Sequence, residues 1–170
     1  MENPWIDFVG NLDYENLVLD NEKNVVKKFN ERSNEKYKIH SKIMPAPFMG
    51  NVQNAPIVLL VLNPGYDIKE DCRNFYNEYK GFWKNEIQHI KSIPKLPLFC
   101  LDEKYITFSD YWSKKLKPLI SVSSIEKVSD KICKIQFFPY HSQKFKSISK
   151  LFYVKVILTI CLLKNIISIW

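Results

Sequence analysis

Two short stretches hold the side chains best suited to chemistry. The first is Asn63-Pro64-Gly65-Tyr66-Asp67. The amide of Asn63 can hold a water or a base edge. Gly65 is one of only four glycines in the chain. It permits a positive φ and lets a ligand approach backbone N–H groups closely. Tyr66 offers a flat face. Asp67 offers a carboxylate, which can act as a base or simply stabilise the first turn of a following helix. The second stretch is Phe137-Phe138-Pro139-Tyr140-His141-Ser142. Near neutral pH His141 can donate a proton or hydrogen-bond a developing anion. Both stretches also have plainer readings. Asn, Pro and Gly are the commonest turn formers, and His141 can be a surface histidine. His40 and His89 lie in helical or polar contexts and are given no role.

Each stretch follows a segment that reads as a buried strand. Ile57-Val58-Leu59-Leu60-Val61-Leu62 is continuously apolar and β-rich, the pattern of a strand covered on both faces in a parallel sheet. Ile132 to Phe138 is the second such strand, and Ile166 to Trp170 the third. Helices are expected over 12–32, 68–92 and 149–164, and from a Ser109-Asp110 cap through Leu119. Met44 to Asn51, with two prolines and a glycine, reads as an extended connection. Pro94 to Phe108 is a long connection with room for a short strand at Leu96–Leu101. The expected fold is α/β: three layers, α/β/α, around a central, mostly parallel sheet. Residues 1–43 form a helical segment packed on the core, and 44–170 form the α/β unit of a single domain. In such sheets ligands bind beyond the carboxyl ends of the strands, where neighbouring loops meet.

At 170 residues, with 46% hydrophobic and 25% charged, the composition is that of a globular domain. The start of the chain, with Glu2 and Asp7, lacks the pattern of a signal peptide. The most apolar stretch, Leu151–Trp170, is interrupted by Lys155, Lys164 and Asn165, and falls short of the ~20 residues a membrane span needs. Cys72, Cys100, Cys133 and Cys161 lie far apart, with no Cys-x-x-Cys spacing. They read as reduced thiols in a cytoplasmic protein, with no metal site. Nothing points to an organic cofactor. The net charge of +7 is unevenly spread: residues 1–130 carry 18 basic and 18 acidic side chains, and residues 131–170 carry seven lysines and no acid. Such a tail favours polyanions. A lysine-rich composition of AT-rich coding origin explains it equally well.

Val61-Leu62-Asn63-Pro64-Gly65-Tyr66 resembles the first motif of the uracil-DNA glycosylase superfamily. In its mismatch-specific branch the first strand ends in Gly-Ile-Asn-Pro-Gly. Ile135 to Ser142 occupies the place of that fold's second strand and base-recognition loop. Pro97-Leu98-Phe99-Cys100 lies where relatives present an aromatic that stacks on the extruded base. The resemblance runs in element order from Met44 to Trp170.

The resemblance implies hydrolysis of the N-glycosidic bond of uracil or another modified base in DNA, as in base-excision repair. Asn63 would position the attacking water, and Pro64, Gly65 and Tyr66 would line the pocket. Phe99 would stack on the base, with Phe138, Tyr140 and His141 beside it. Ser142, Lys144 and Lys146 would hold phosphates. A glycosylase must flip its base out of the stack and gains by stabilising the leaving anion. One departure stands out. No His-Pro-Ser or Asn-Pro-Ser, the family's third motif, occurs, and the sequence ends within the expected third strand. This suggests a shortened product, or a divergent or non-catalytic relative. A strand there also leaves an edge for a partner protein or a second copy to cover. Three functional classes follow: a DNA glycosylase; a non-catalytic domain of the same fold that binds a nucleotide, nucleic acid or protein; and an unrelated α/β domain whose Asn-Pro-Gly is only a turn.

Overall fold

The structure, a computed structural model, describes residues 5, 8, 11–52, 54–66, 95–103 and 111–148. The expected helices over 68–92 and 149–164, the strand at 166–170, the Ser109-Asp110 cap and Asp67 lie outside the described residues. In chain order the elements are α1 (Lys23–Glu31), a 3-10 turn (Glu35–Tyr37), β1 (Phe48–Met49), β2 (Ile57–Val61), a 3-10 turn (Phe99–Leu101), α2 (Tyr111–Ser121), α3 (Ile125–Lys131) and β3 (Ile132–Gln136). No helix among the described residues is long and apolar enough to cross a membrane.

The sheet is mixed, in the order β1-β3-β2. β2 and β3 pair in parallel, with Ile57 opposite Ile132 and Val61 opposite Gln136. β1 pairs antiparallel with β3, Phe48 facing Ile135. The connection expected at 44–51 therefore supplies a short strand of its own. It packs tightly. A Cβ on Gly50, at φ +97°, would lie 2.8 Å from the Ile132 carbonyl oxygen.

β3 is buried along its whole length. β2 is not, contrary to its apolar sequence: Leu60 is 69% exposed and Ile57 47%. Among the described residues β2 has a neighbour on one side only, so hydrophobicity alone does not make it a central strand.

The helix expected over 12–32 is confined to Lys23–Glu31. Upstream, backbone donors are taken by other partners. The Glu15 N–H bonds the Asp13 side chain, Leu17 N–H bonds the Ser41 carbonyl, and Leu19 N–H bonds the Tyr140 hydroxyl. An Asx turn and two long-range bonds thus replace the helical ladder. The segment reading as a short strand at Leu96–Leu101 ends in a 3-10 turn, held where Leu98 N–H donates to the buried Ser129 hydroxyl. α3 was not foreseen, although its start is marked. Ser124 caps it by accepting from Lys127 N–H at 3.2 Å.

One core cluster joins both parts of the chain. Leu17, Val18 and Val26 pack with Phe48, Ile135, Phe138 and Tyr140. Tyr140 donates its hydroxyl to buried Glu22 at 2.6 Å. This ties the second loop to the start of α1 from beneath.

Candidate functional site

The parallel ladder carries the two loops to the same rim. Beyond Gln136, Phe137 N–H donates to the Val61 carbonyl and Phe138 N–H to that of Leu62, at 2.7 and 2.8 Å. The loops are then cross-fastened by side chains. Asn63 Nδ2 donates to the Ser142 carbonyl at 3.2 Å and to Ser142 Oγ at 3.1 Å. Ser142 Oγ in turn donates to the Lys144 carbonyl at 3.0 Å. His141 Nδ1 stands 2.7 Å from the Gly65 carbonyl oxygen. A carbonyl only accepts, so Nδ1 carries the hydrogen. Gly65 has φ +75°, with open space where a Cβ would be. The left-handed backbone, rather than crowding, accounts for glycine at this turn.

His141 is 1% exposed. Burial lowers its pKa to about 4, with His40 and Lys134 adding to the effect and the carbonyls of Gly65 and Met44 opposing it. It is therefore neutral at physiological pH. It can bridge the loops, but it carries no imidazolium charge to offer an anion.

Beneath Pro64 lies a cavity of about 70 Å³ lined by Ala46, Phe48, Met49, Lys134, Gln136 and His141. Lys134 and Gln136 alternate along β3 and so share a face. Both are at least nine-tenths buried. Gln136 Oε1 has no hydrogen-bond partner among the described residues. The Lys134 ammonium lies 4.8 Å from the centre of the Trp112 ring, a cation–π contact. Desolvation pulls its pKa down. Sequence reasoning missed both residues because their strand reads as apolar. The detectable signal was a lysine and a glutamine two apart within Ile-Cys-Lys-Ile-Gln.

The other expected site residues divide sharply. Asn63, Pro64, Gly65, His141 and Ser142 come together. Tyr66 is close by, but one face of its ring is stacked on His40, centroids 3.6 Å apart. Phe99, Phe138 and Tyr140 do not line the cavity; each is under 5% exposed and belongs to the core. Phe138 packs edge-on against Tyr140 at 5.4 Å. Large aromatic rings gain more from such burial than from waiting at a rim. Ser142 is buried and spends its hydroxyl on the loops. Lys144 and Lys146 are exposed.

Among the described residues no group of His, Cys, Asp or Glu side chains could hold a metal ion. Comparison with protein-family models, with characterised proteins and with solved structures returns no match.

Proposed function

We propose that this chain is a non-catalytic nucleic-acid-binding domain that recognises one base at the junction of its two loops. The observation that carries this reading is the cross-fastened rim, Asn63 to Ser142 and His141 to Gly65, above a cavity with a buried lysine and an unsatisfied glutamine oxygen. Lys134 is a donor and Gln136 can both donate and accept, as an edge-on base requires. About two water volumes, at roughly 30 Å³ each, would fill the cavity. It therefore admits the edge of a ring and not the whole ring. A neutral His141 already bonded to protein favours recognition over stabilisation of a leaving anion.

Hydrolysis of an N-glycosidic bond is the second reading, favoured by Asn63. Its amide nitrogen is committed to Ser142, which leaves Oδ1 to accept from a water.

The test uses 11-mer strands made of abasic spacer, each carrying one base (A, C, G, T or U) at its centre. Wild type is expected to prefer one of them at least tenfold over a strand with no base. Asn63→Ala and Gln136→Leu are expected to lose that preference. Equal binding of all strands by wild type would remove base recognition. Alkaline cleavage of uracil-containing DNA after incubation with wild type, absent with Asn63→Ala, would replace this reading with the hydrolytic one.

A further inference from the structure

We infer that a groove between α1 and residues 146–148 holds the phosphate backbone of single-stranded nucleic acid. One wall is a single face of α1 and its C-cap: Val25, Lys28, Phe29 and Arg32, spaced to lie one above the other. The other wall is Lys146, Ser147 and Ile148. The groove measures about 350 Å³, five times the cavity beneath Pro64. Three cations line it, and no acid does.

None of these three cations has an ion-pair partner among the described residues, where acids pair with Lys23, Lys38, Lys42 and Lys131 instead. The cationic face continues past the groove. Lys146 and Lys36 flank the Tyr37 ring, 5.6 and 5.1 Å from its centre. Lys144 is held beside them, its N–H donating to the Lys36 carbonyl at 2.8 Å. The fold therefore joins basic residues of the N-terminal helix to lysines of the acid-free tail.

A solvated surface is the plainer account, and Lys28 and Arg32 do sit at the negative end of α1. That end amounts to about half a charge, however, and the groove gathers three whole ones. The occupant follows from what lies between the charges. Phe29 and Tyr37 are half-buried aromatics among cations. That combination suits a strand whose bases are unstacked and free to lie on rings. Duplex bases are already stacked, and a lipid surface would meet a concave wall.

The groove extends the proposed function and rests on it only for the class of ligand. Ser142 and Lys146 are four residues apart, at most about 14 Å along the chain. One strand of a few nucleotides can reach both sites.

The test is fluorescence anisotropy of a labelled dT20 strand across a sodium chloride series. Each phosphate contact contributes about 0.7 to the log–log salt slope of a single strand. The triple variant K28Q/R32Q/K146Q is expected to bind about 100-fold more weakly at 0.1 M salt, with a slope shallower by about 2. Tyr37→Ala should weaken binding about tenfold with the slope unchanged. K127Q/K131Q, on α3, should match wild type. Circular dichroism confirms that each variant is folded. The inference is overturned if folded triple variant binds dT20 like wild type, or if wild type does not bind dT20. Wild type that instead sediments with phosphatidylserine vesicles would point to a membrane. Failure of base preference on the spacer strands, with the triple variant still impaired on dT20, would remove the junction reading and leave the groove standing.

Discussion

The loop junction and the groove beside α1 handle polar groups in opposite ways. At the junction the loop side chains are fastened to protein, and the Gln136 oxygen beneath them is the exception. Asn63 and His141 bond to backbone, Ser142 makes three hydrogen bonds, and the cavity they cover is small. In the groove Lys28, Arg32 and Lys146 are exposed, and no acid lines the walls with them. The junction therefore resembles a piece of core brought to a rim, costly to alter and slow to change shape. The groove resembles a surface whose electrostatic energy is realised only when a counter-charge arrives. Substitutions at the first should register in stability as well as in base preference, and at the second in binding alone.

The sharpest break of that contrast comes from Phe138. It is 2% exposed, between Tyr140 and Phe145. Phe138→Ala should cost about 3–5 kcal/mol, as for other buried phenylalanines. The check is the urea midpoint of the variant against wild type. A loss below about 1 kcal/mol would show that the second loop is not anchored in the core, and the junction would lose its rigid floor.

Next in size is a pH effect. His141 titrates near 4 in the fold and near 6.5 unfolded. Between those values the unfolded chain binds more protons, so stability rises with pH across the window. It is fully present above about 6.5 and lost as pH falls toward 4. The shift corresponds to about 3 kcal/mol. Lys134 and His40 are the neighbours that add to it. Denaturant melts of wild type should therefore show a slope between pH 4 and 6.5 that is largely absent in His141→Gln. Parallel profiles for the two proteins would mean that the ring is hydrated and able to take a proton, which would revive an acid role.

The contrast also explains what could be read in advance. The two strands, their parallel pairing and the meeting of the loops after them were legible, because continuous apolar runs ending in Asn-Pro-Gly and Pro-Tyr-His are local signals. The burial of Phe138 and Tyr140 was not. An aromatic at a strand end looks the same whether it turns to a ligand or to the core. Here the choice is made by Glu22 and Leu19, more than 100 residues away in sequence. The shortening of the first helix has the same cause, since its donors found distant partners. The buried pair on β3 shows the limit most clearly. Nothing local says that Lys134 lies under Trp112, because that contact depends on how α2 crosses the sheet.

The smallest expected effect is the most discriminating. Lys28, Arg32 and Lys146 are exposed and have no ion-pair partner among the described residues. Removing them should change stability by less than about 0.5 kcal/mol. The sign should be slightly favourable for Lys146→Gln, because three like charges around one groove repel one another. For Lys28→Gln the loss of a cation at the α1 C-terminus offsets that relief, by about 0.3–1 kcal/mol at low salt. The two single variants should therefore separate in thermal melts at low ionic strength. They should converge as salt shortens the range of both effects to about 10 Å or less. If both instead destabilise equally at every salt concentration, these side chains are packing against Phe29 and Ile148 through their methylenes. The groove would then belong with the junction, as structure rather than as a surface awaiting a ligand.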